Sequence, residues 1–412
     1  MELVKVAFRN IFRNKRRSIL NIIALVISIS IMILGLGWVA GYDTYVFGSI
    51  INFQTGHLQV LERAYLEEER RLPLDISISN PEHIAQRISD LNGVEAAAQR
   101  INFSMELSNG RDSVRMLGRA IEPEREAQVT EIGKYVQSGN YFQSGPGILL
   151  GKGIAEKLAL VPGDTVFITA MDRHSVKNFT DMKVRGLFSF GYPKMDDNIV
   201  FMDMESARSF LSMEGRATKI VVKLSQDTGT DVFVEKIQDR LPEDSGLKAY
   251  SWEHFSEAAV SAVKGDTYSF WIVLLILYVL IILGILNSMS MSIQERTKEI
   301  GTLRAIGMKR KKLLTLLFAE SAGIAAAAGV FGLLFSIPVA LWLQYGGIDI
   351  QSALPAEVPV PFGERFYAQF TPGHFIIGLV VGTVSALAGS LLPAVRASRL
   401  RIADAMGSAH VR

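Results

Sequence analysis

The sequence predicts a membrane protein in which four transmembrane α-helices carry a large α+β extracytoplasmic domain between the first and second spans. Three observations predict it. Hydrophobic residues make up 49% of the 412-residue chain, and the mean hydropathy of +0.24 is high for a globular enzyme. The apolar residues gather into four long segments. Charge is segregated along the chain, with residues 1–18, 292–312 and 394–412 basic and the long connection 43–268 and the short one 344–374 acidic.

The first segment, Ile19 to Ala40, has no charged residue. As a helix it rises about 33 Å, against roughly 30 Å of hydrocarbon. It is longer than a signal-peptide core, and no convincing small-x-small cleavage site follows, so it reads as an uncleaved anchor. The second, Phe270 to Met291, is also free of charge. The third, Leu313 to Leu343, carries one acid, Glu320, and contains Pro338. Its length calls for a tilt, a kink or an emergent end. The fourth, Phe375 to Val395, is rich in small residues. The ridges Ala328/Gly332/Ser336 and Gly378/Gly382/Ala386/Ser390 offer close helix contacts. The alternative is that they face lipid with no partner.

Residues 1–18 hold six Lys or Arg against one acid, residues 292–312 seven against two, and residues 394–412 four against one. Residues 43–268 hold 25 basic against 33 acidic residues. The positive-inside rule puts the N-terminus, the 292–312 loop and the C-terminus in the cytoplasm. The expected layout is a cytoplasmic interfacial helix (1–18), span 1 (19–41), an outer domain (42–268), span 2 (269–291), a cytoplasmic loop (292–312), span 3 (313–343), an outer loop (344–374), span 4 (375–395) and a cytoplasmic tail (396–412).

The outer segment mixes strand and helix signals. Asn80-Pro81 reads as N-cap and N1 of a helix in which Ile84, Ile88 and Leu91 recur at helical spacing, with Gly93 as its stop. Asn109-Gly110 lies between Phe103–Leu107 and Val114–Leu117, a hairpin signal. Pro162-Gly163-Asp164 turns into a strand over 165–169. Lys219–Leu224 reads as a strand and Asp231–Leu241 as an amphipathic helix. The run Glu67 to Arg71 reads as a solvated helix face.

Several chemistries are excluded. With no cysteine, the chain is neither a disulfide scaffold, a thiol enzyme nor a cysteine-ligated metal protein. Gly147 to Gly153 lacks both ends of a phosphate-cradling loop and reads as a strand-to-helix turn. The six histidines make no metal-ligand spacing, and no GxSxG elbow occurs. No catalytic, cofactor or metal residue is therefore expected. The basic residues near the membrane suit anionic lipid and a protein partner, not nucleic acid.

Glu320 has two readings. An acid within a span costs roughly 2.5–3.5 kcal/mol on insertion scales. It either makes a polar contact that couples helices near the cytoplasmic mouth, or snorkels and pairs with Lys311 or Lys312. In the loop before it, Ile300, Leu303 and Ile306 predict a short amphipathic helix, with Gly307 as its C′ stop. Such a helix, lying on the membrane face, can pass force between a soluble motor and the spans. The alternative is an ordinary positive-inside loop.

The run ERTKEIGTLRAIGMKRKKLLTLLFAES (295–321) resembles the signature of the FtsX-like permease family of ABC transporters. Ala7–Leu20 resembles that family's N-terminal interfacial helix. Gly147–Val166 is similar to its MacB-like periplasmic core domain, and Leu392–Met406 to its closing motif. The resemblance implies a non-catalytic permease subunit that binds no cofactor, while a separate cytoplasmic ATPase subunit uses ATP. It further implies a second permease subunit, identical or not, in a multi-pass protein of the bacterial inner membrane. The 295–307 helix would be the coupling helix, with Glu295, Arg296, Glu299, Ile300, Gly301, Arg304 and Gly307 facing the ATPase. The work done would be mechanotransmission on the outer side. Length and layout, with Met116–Glu126, resemble the lipoprotein-release branch, which implies a lipoprotein substrate. Gly41–Phe47 departs from that branch, and Glu320 is closer to the MacB-type span. MacB-like export of peptides or amphiphiles and FtsX-like control of cell-wall hydrolases are the other branches, and a membrane-embedded enzyme is the alternative outside the family.

Overall fold

The computed structural model describes Arg9 and residues 15–142, 146–191, 196–225, 229–242, 245–349 and 365–399. Most of the expected interfacial helix at 1–18, residues 350–364 of the outer loop 344–374 and residues 400–412 of the tail 396–412 lie outside these residues. The chain divides into two compact units, Met1–Thr44, Ala262–Ile348 and Phe366–Arg412 forming one, Tyr45–Ser261 and Asp349–Arg365 the other.

The first unit is built on four helices long and apolar enough to cross a membrane. They are Lys15–Ile50, Glu257–Glu295, Arg310–Tyr345 and Pro372–Arg399. The first two run well beyond the apolar stretches that announce them, because polar residues continue the helix past each boundary. Pro338 sits inside the third helix without ending it. The small-residue ridges are buried, which removes the lipid-facing alternative. A Cβ on Gly378 would come within 2.4 Å of Ile33 Cγ1, and one on Gly382 within 2.4 Å of Ile29 Cγ1. Gly332 meets the same Ile29, and Ser336 donates to Ser30 Oγ at 3.0 Å. The glycines thus let the first helix seat its branched side chains against the third and fourth. Tyr278 of the second helix donates its hydroxyl to the Val381 carbonyl of the fourth.

The second unit is α+β. Its strands are β1 (Leu58–Glu62), β2 (Ile78–Ser79), β3 (Val94–Ser108), β4 (Ser113–Ile121), β5 (Val136–Gly139), β6 (Ile148–Gly151), β7 (Thr165–Met171), β8 (Lys177–Phe188), β9 (Ile199–Asp203), β10 (Arg216–Ala217), β11 (Lys219–Leu224) and β12 (Leu247–Ser251). Ten of them form one sheet in the order β12-β1-β11-β3-β4-β9-β6-β8-β5, and β7 bridges β3 and β8. The bridge closes β3, β4, β9, β6, β8 and β7 into a ring, so these strands have no free edge among themselves. Ile101, Phe103, Met105, Val166, Ile168, Val200 and Met202 belong to one buried cluster within it. β3 is long enough to serve twice, because its first half belongs to the open sheet β12-β1-β11-β3. Helix Pro81–Ser89 lays Ile84 and Ile88 on that sheet, and helix Thr230–Gln238 adds Ile237.

Local signals in this unit have local causes. Asn109 Oδ1 accepts the Arg111 and Asp112 amides at 2.8 Å each, and Gly110 takes φ 88°, which turns β3 into β4. The 147–153 run is a strand-to-helix turn whose glycines answer a packing demand. A Cβ on Gly151 would meet the Asp196 carbonyl oxygen at 1.8 Å, and one on Gly153 would meet Asp197 Oδ1 at 1.8 Å. Two readings need correction. Asn80 and Pro81 do stand at the N-cap and N1 positions of their helix, but Asn80 takes a left-handed conformation (φ 51°, ψ 48°) and its side chain caps no helix amide. The run Glu67–Arg71 is not wholly solvated, since Glu69 reaches in to the buried Lys219 ammonium at 2.8 Å. Burial pushes that ammonium down to about 8, with Glu69 holding it up against the loss of solvent.

Candidate functional site

The second spanning helix ends at Glu295, and a new helix, Thr297–Ala305, begins after a single non-helical residue, Arg296 (φ −100°, ψ 14°). Thr297 eases the break by donating its hydroxyl to the Ile293 and Gln294 carbonyls at 3.1 and 2.8 Å. The short helix ends in a Schellman motif. Met308 N–H donates to Leu303 O and Gly307 N–H to Arg304 O, both at 3.0 Å, with Gly307 at φ 100°. This is the C′ role that glycine fills without strain.

Three contacts hold this bridging helix. Ile300 is 4% exposed and packs in a cluster with Ile293 of the second spanning helix, Leu313 and Leu317 of the third, and Ala394 and Ala397 of the fourth. Arg304 donates to the Ser398 carbonyl at 2.8 Å, near the end of the fourth helix. Arg296 Nη1 donates to both Glu320 oxygens, at 2.9 and 3.1 Å, while its Nε reaches Glu299 at 3.2 Å. Arg296 and Glu320 are only 13% and 10% exposed, so the pair sits largely out of water.

The expected residues divide by role. Arg296, Ile300, Gly301 and Arg304 turn inward or are held by the bundle, while Glu295, Lys298 and Thr302 are exposed. Glu299 is half-buried beside Arg296. The predicted stripe is incomplete, because Ile300 is buried and Leu303 partly so, but the helix stops at Ala305 and Ile306 is 81% exposed. Glu320 makes a polar contact that joins the third spanning helix to the bend between the second helix and the bridging helix. Its partner is Arg296, however, not Lys311 or Lys312, which lie exposed in the first turn of the third helix. Eight residues separate Lys312 from Glu320, about 12 Å along the axis, whereas the bend at Arg296 folds a cation back to the right depth. Nothing in the spacing of residues 304 and 398 announces the contact to Ser398. A usable signal for the other contact was the lone acid in the third span, which demands a cation at its own depth.

The core domain announced by Gly147–Val166 also has its counterpart among known families. The family described as MacB-like periplasmic core domain matches residues 18–240, and the one described as FtsX-like permease C-terminal matches residues 271–402. The chain belongs to the FtsX-like permease family of ABC transporters. An uncharacterized ABC transporter permease of Methanocaldococcus jannaschii is 22% identical over 97% of this chain and 98% of its own length. The lipoprotein-releasing system transmembrane protein LolC of Neisseria meningitidis is 20% identical over 76% of this chain and 78% of its own. The macrolide export ATP-binding/permease protein MacB of Bdellovibrio bacteriovorus is 27% identical over 72% of this chain but only 40% of its own length. This permease is thus an ABC transporter permease subunit of the MacB/LolC type, with four spanning helices and the core domain between the first and second.

Proposed function

We propose that this permease couples ATP hydrolysis by a separate cytoplasmic ATPase to conformational work by its core domain on the outer side of the inner membrane, releasing lipoproteins from that membrane. The bridging helix carries the reading. It is fastened to the second, third and fourth spanning helices by Arg296–Glu320, Ile300 and Arg304–Ser398, so a push on it reaches all three. Its exposed face, with Glu295, Lys298, Thr302 and Ile306, is the surface offered to the ATPase. Arg296, Glu299, Ile300, Gly301, Arg304 and Gly307 set the angle of that face. A second copy of this chain or a related permease completes the transporter, with both termini in the cytoplasm.

The lipoprotein reading is supported by relatives of the LolC type that share most of their length with this chain. Depletion of this permease strands mature lipoproteins in the inner membrane on this reading, and membrane fractionation with labelled lipoproteins measures it. Normal sorting after depletion would reject it. MacB-like export is the second reading, favoured by the core-domain match. It expects amphiphile sensitivity on depletion with sorting intact.

A further inference from the structure

We infer that the buried Arg100–Glu126 pair is a latch that fixes the Ile51–Thr55 turn, which continues the first spanning helix, to the core-domain sheet, so that movement of the helix is passed to the domain. The inference rests on the coupling reading above but concerns a different place in the molecule. The helix Lys15–Ile50 does not stop where its α-helical turns do. It passes directly into a π-helical turn, Ile51–Thr55, closed by Gly56 N–H donating to Ile51 O at 2.9 Å. Such turns are rare and frequently mark functional positions.

Asn52, Phe53, Gln54 and Thr55 of this turn each contact the domain. Phe53 is 3% exposed and lies against Tyr135 and Phe190, with ring centroids 4.8 and 5.4 Å away. The Asn52 carbonyl accepts Glu131 N–H at 3.2 Å, and the Thr55 carbonyl accepts Gln59 Nε2 at 3.0 Å. The Gln54 carbonyl accepts Arg100 Nη1 at 2.5 Å. Arg100 turns its other two nitrogens to Glu126, Nε to Oε2 at 3.1 Å and Nη2 to Oε1 at 2.5 Å. Glu126 Oε1 takes a further bond from the Thr130 hydroxyl at 2.8 Å. Arg100 is 1% exposed and Glu126 is fully buried.

The surroundings say why a charge pair is there. On the same side of the sheet, Ala96, Ala98, Val129 and Val221 form one apolar cluster, and Phe53, Leu149, Phe188 and Phe201 belong to another. Arg100 stands between them, opposite Lys219 on β11 and Ile121 on β4. Most of those neighbours are apolar. With an apolar pair, the buried cations Lys219 and Arg119 would be relieved of the like charge on Arg100, while Arg119 loses the opposing Glu126. Buried ion pairs replaced by well-packed apolar residues commonly leave a protein as stable as before. What an apolar contact lacks is direction. A planar guanidinium with one edge on a carboxylate and one nitrogen on a backbone carbonyl accepts a single orientation. The pair therefore serves orientation more than stability, and the two can be separated experimentally.

The test uses the full chain in nanodiscs with its co-purified ATPase. The chain contains no cysteine, so spin labels go on Lys177→Cys in the core domain and Lys264→Cys near the start of the second spanning helix, both exposed positions. The label–label distance is compared with and without vanadate-trapped nucleotide. The expected result for Arg100→Met with Glu126→Met is a melting temperature within about 4 °C of the parent, a retained ATPase rate, and loss of the nucleotide-dependent distance change. Arg100→Lys, which keeps a charge on Glu126 but cannot also hold the Gln54 carbonyl in one plane, is expected to weaken the change and serves if the double variant is unstable. An unaltered distance change in a folded variant would overturn the latch. A parent chain that shows no change with an active ATPase would overturn the functional reading itself, and the latch with it.

Discussion

Replacing Glu320 with alanine tests the core of the coupling scheme. The substitution removes the acceptor of both Arg296 Nη1 bonds, at 2.9 and 3.1 Å, from a pair only 13% and 10% exposed. Deleting one member of a buried ion pair typically destabilises by about 3–5 kcal/mol, because the other charge is left without compensation. Glu299 stays within 3.2 Å of Arg296 and is itself 41% exposed, which gives the stranded guanidinium a wetter partner. The lower end, about 3 kcal/mol, is therefore the expected value. At about 1.4 kcal/mol per factor of ten, the bridging helix should leave its seat roughly 100-fold more often. Amide exchange reads this directly. The amides of Ile300, Ile306, Gly307 and Met308, whose acceptors lie in the same segment, should exchange on the order of 100-fold faster. Core-domain amides should be unchanged, and ATPase activity should persist while coupled transport falls. Exchange within about threefold of the parent in this segment would refute the reasoning. So would failure of the reversed pair, Arg296→Glu with Glu320→Arg, to restore any protection.

Other outcomes follow from the same geometry. Arg304→Ala removes the bond to Ser398 O and Glu299→Ala removes the second carboxylate on Arg296; each is expected to lower transport per ATP hydrolysed with membrane insertion intact, measured by reconstituted transport against ATPase rate. Ile300→Ala empties a site buried among the ends of three helices and should destabilise the seat by about 2–5 kcal/mol, seen as faster proteolysis near residue 300. Gly382→Leu drives a side chain into Ile29 and should separate the first and fourth helices, lowering the melting temperature in detergent. Lys219 tests pH dependence. Its folded-state pKa lies below the ordinary lysine value, at about 8, so between that pH and about 10.5 the unfolded chain binds more protons and stability contributed by this group rises with pH. Lys219→Met should therefore gain most over the parent below pH 8, and the gain should shrink toward pH 10.5 in thermal melts.

Much of the architecture was legible in the residue order. Four charge-free or nearly charge-free runs are long enough to leave no other stable solution, because a backbone in hydrocarbon must satisfy its own hydrogen bonds. The hairpin at Asn109-Gly110, strands β7 and β11, and the stop at Gly307 were legible for a similar reason, since each depends on residues a few positions apart. Helix ends were less legible. The first spanning helix continues to Ile50, and its π-helical end is specified by β3 and by the residues after Glu131, far away in sequence.

The amino-acid order by itself determined the membrane class, the number of spans, the presence of an α+β domain after the first, and the short helix in the basic loop. Each of these is a property of a window of neighbouring residues, set by hydrophobic period, length and turn chemistry. Tertiary structure alone decided the partners of the charges: Glu320 with Arg296 and not a nearby lysine, Arg304 with the fourth helix, Glu69 with Lys219, and Arg100 with both Glu126 and the first helix. A buried charge takes whichever counter-charge the backbone path brings to its own depth within about 3 Å, and distance along the chain carries no record of that path.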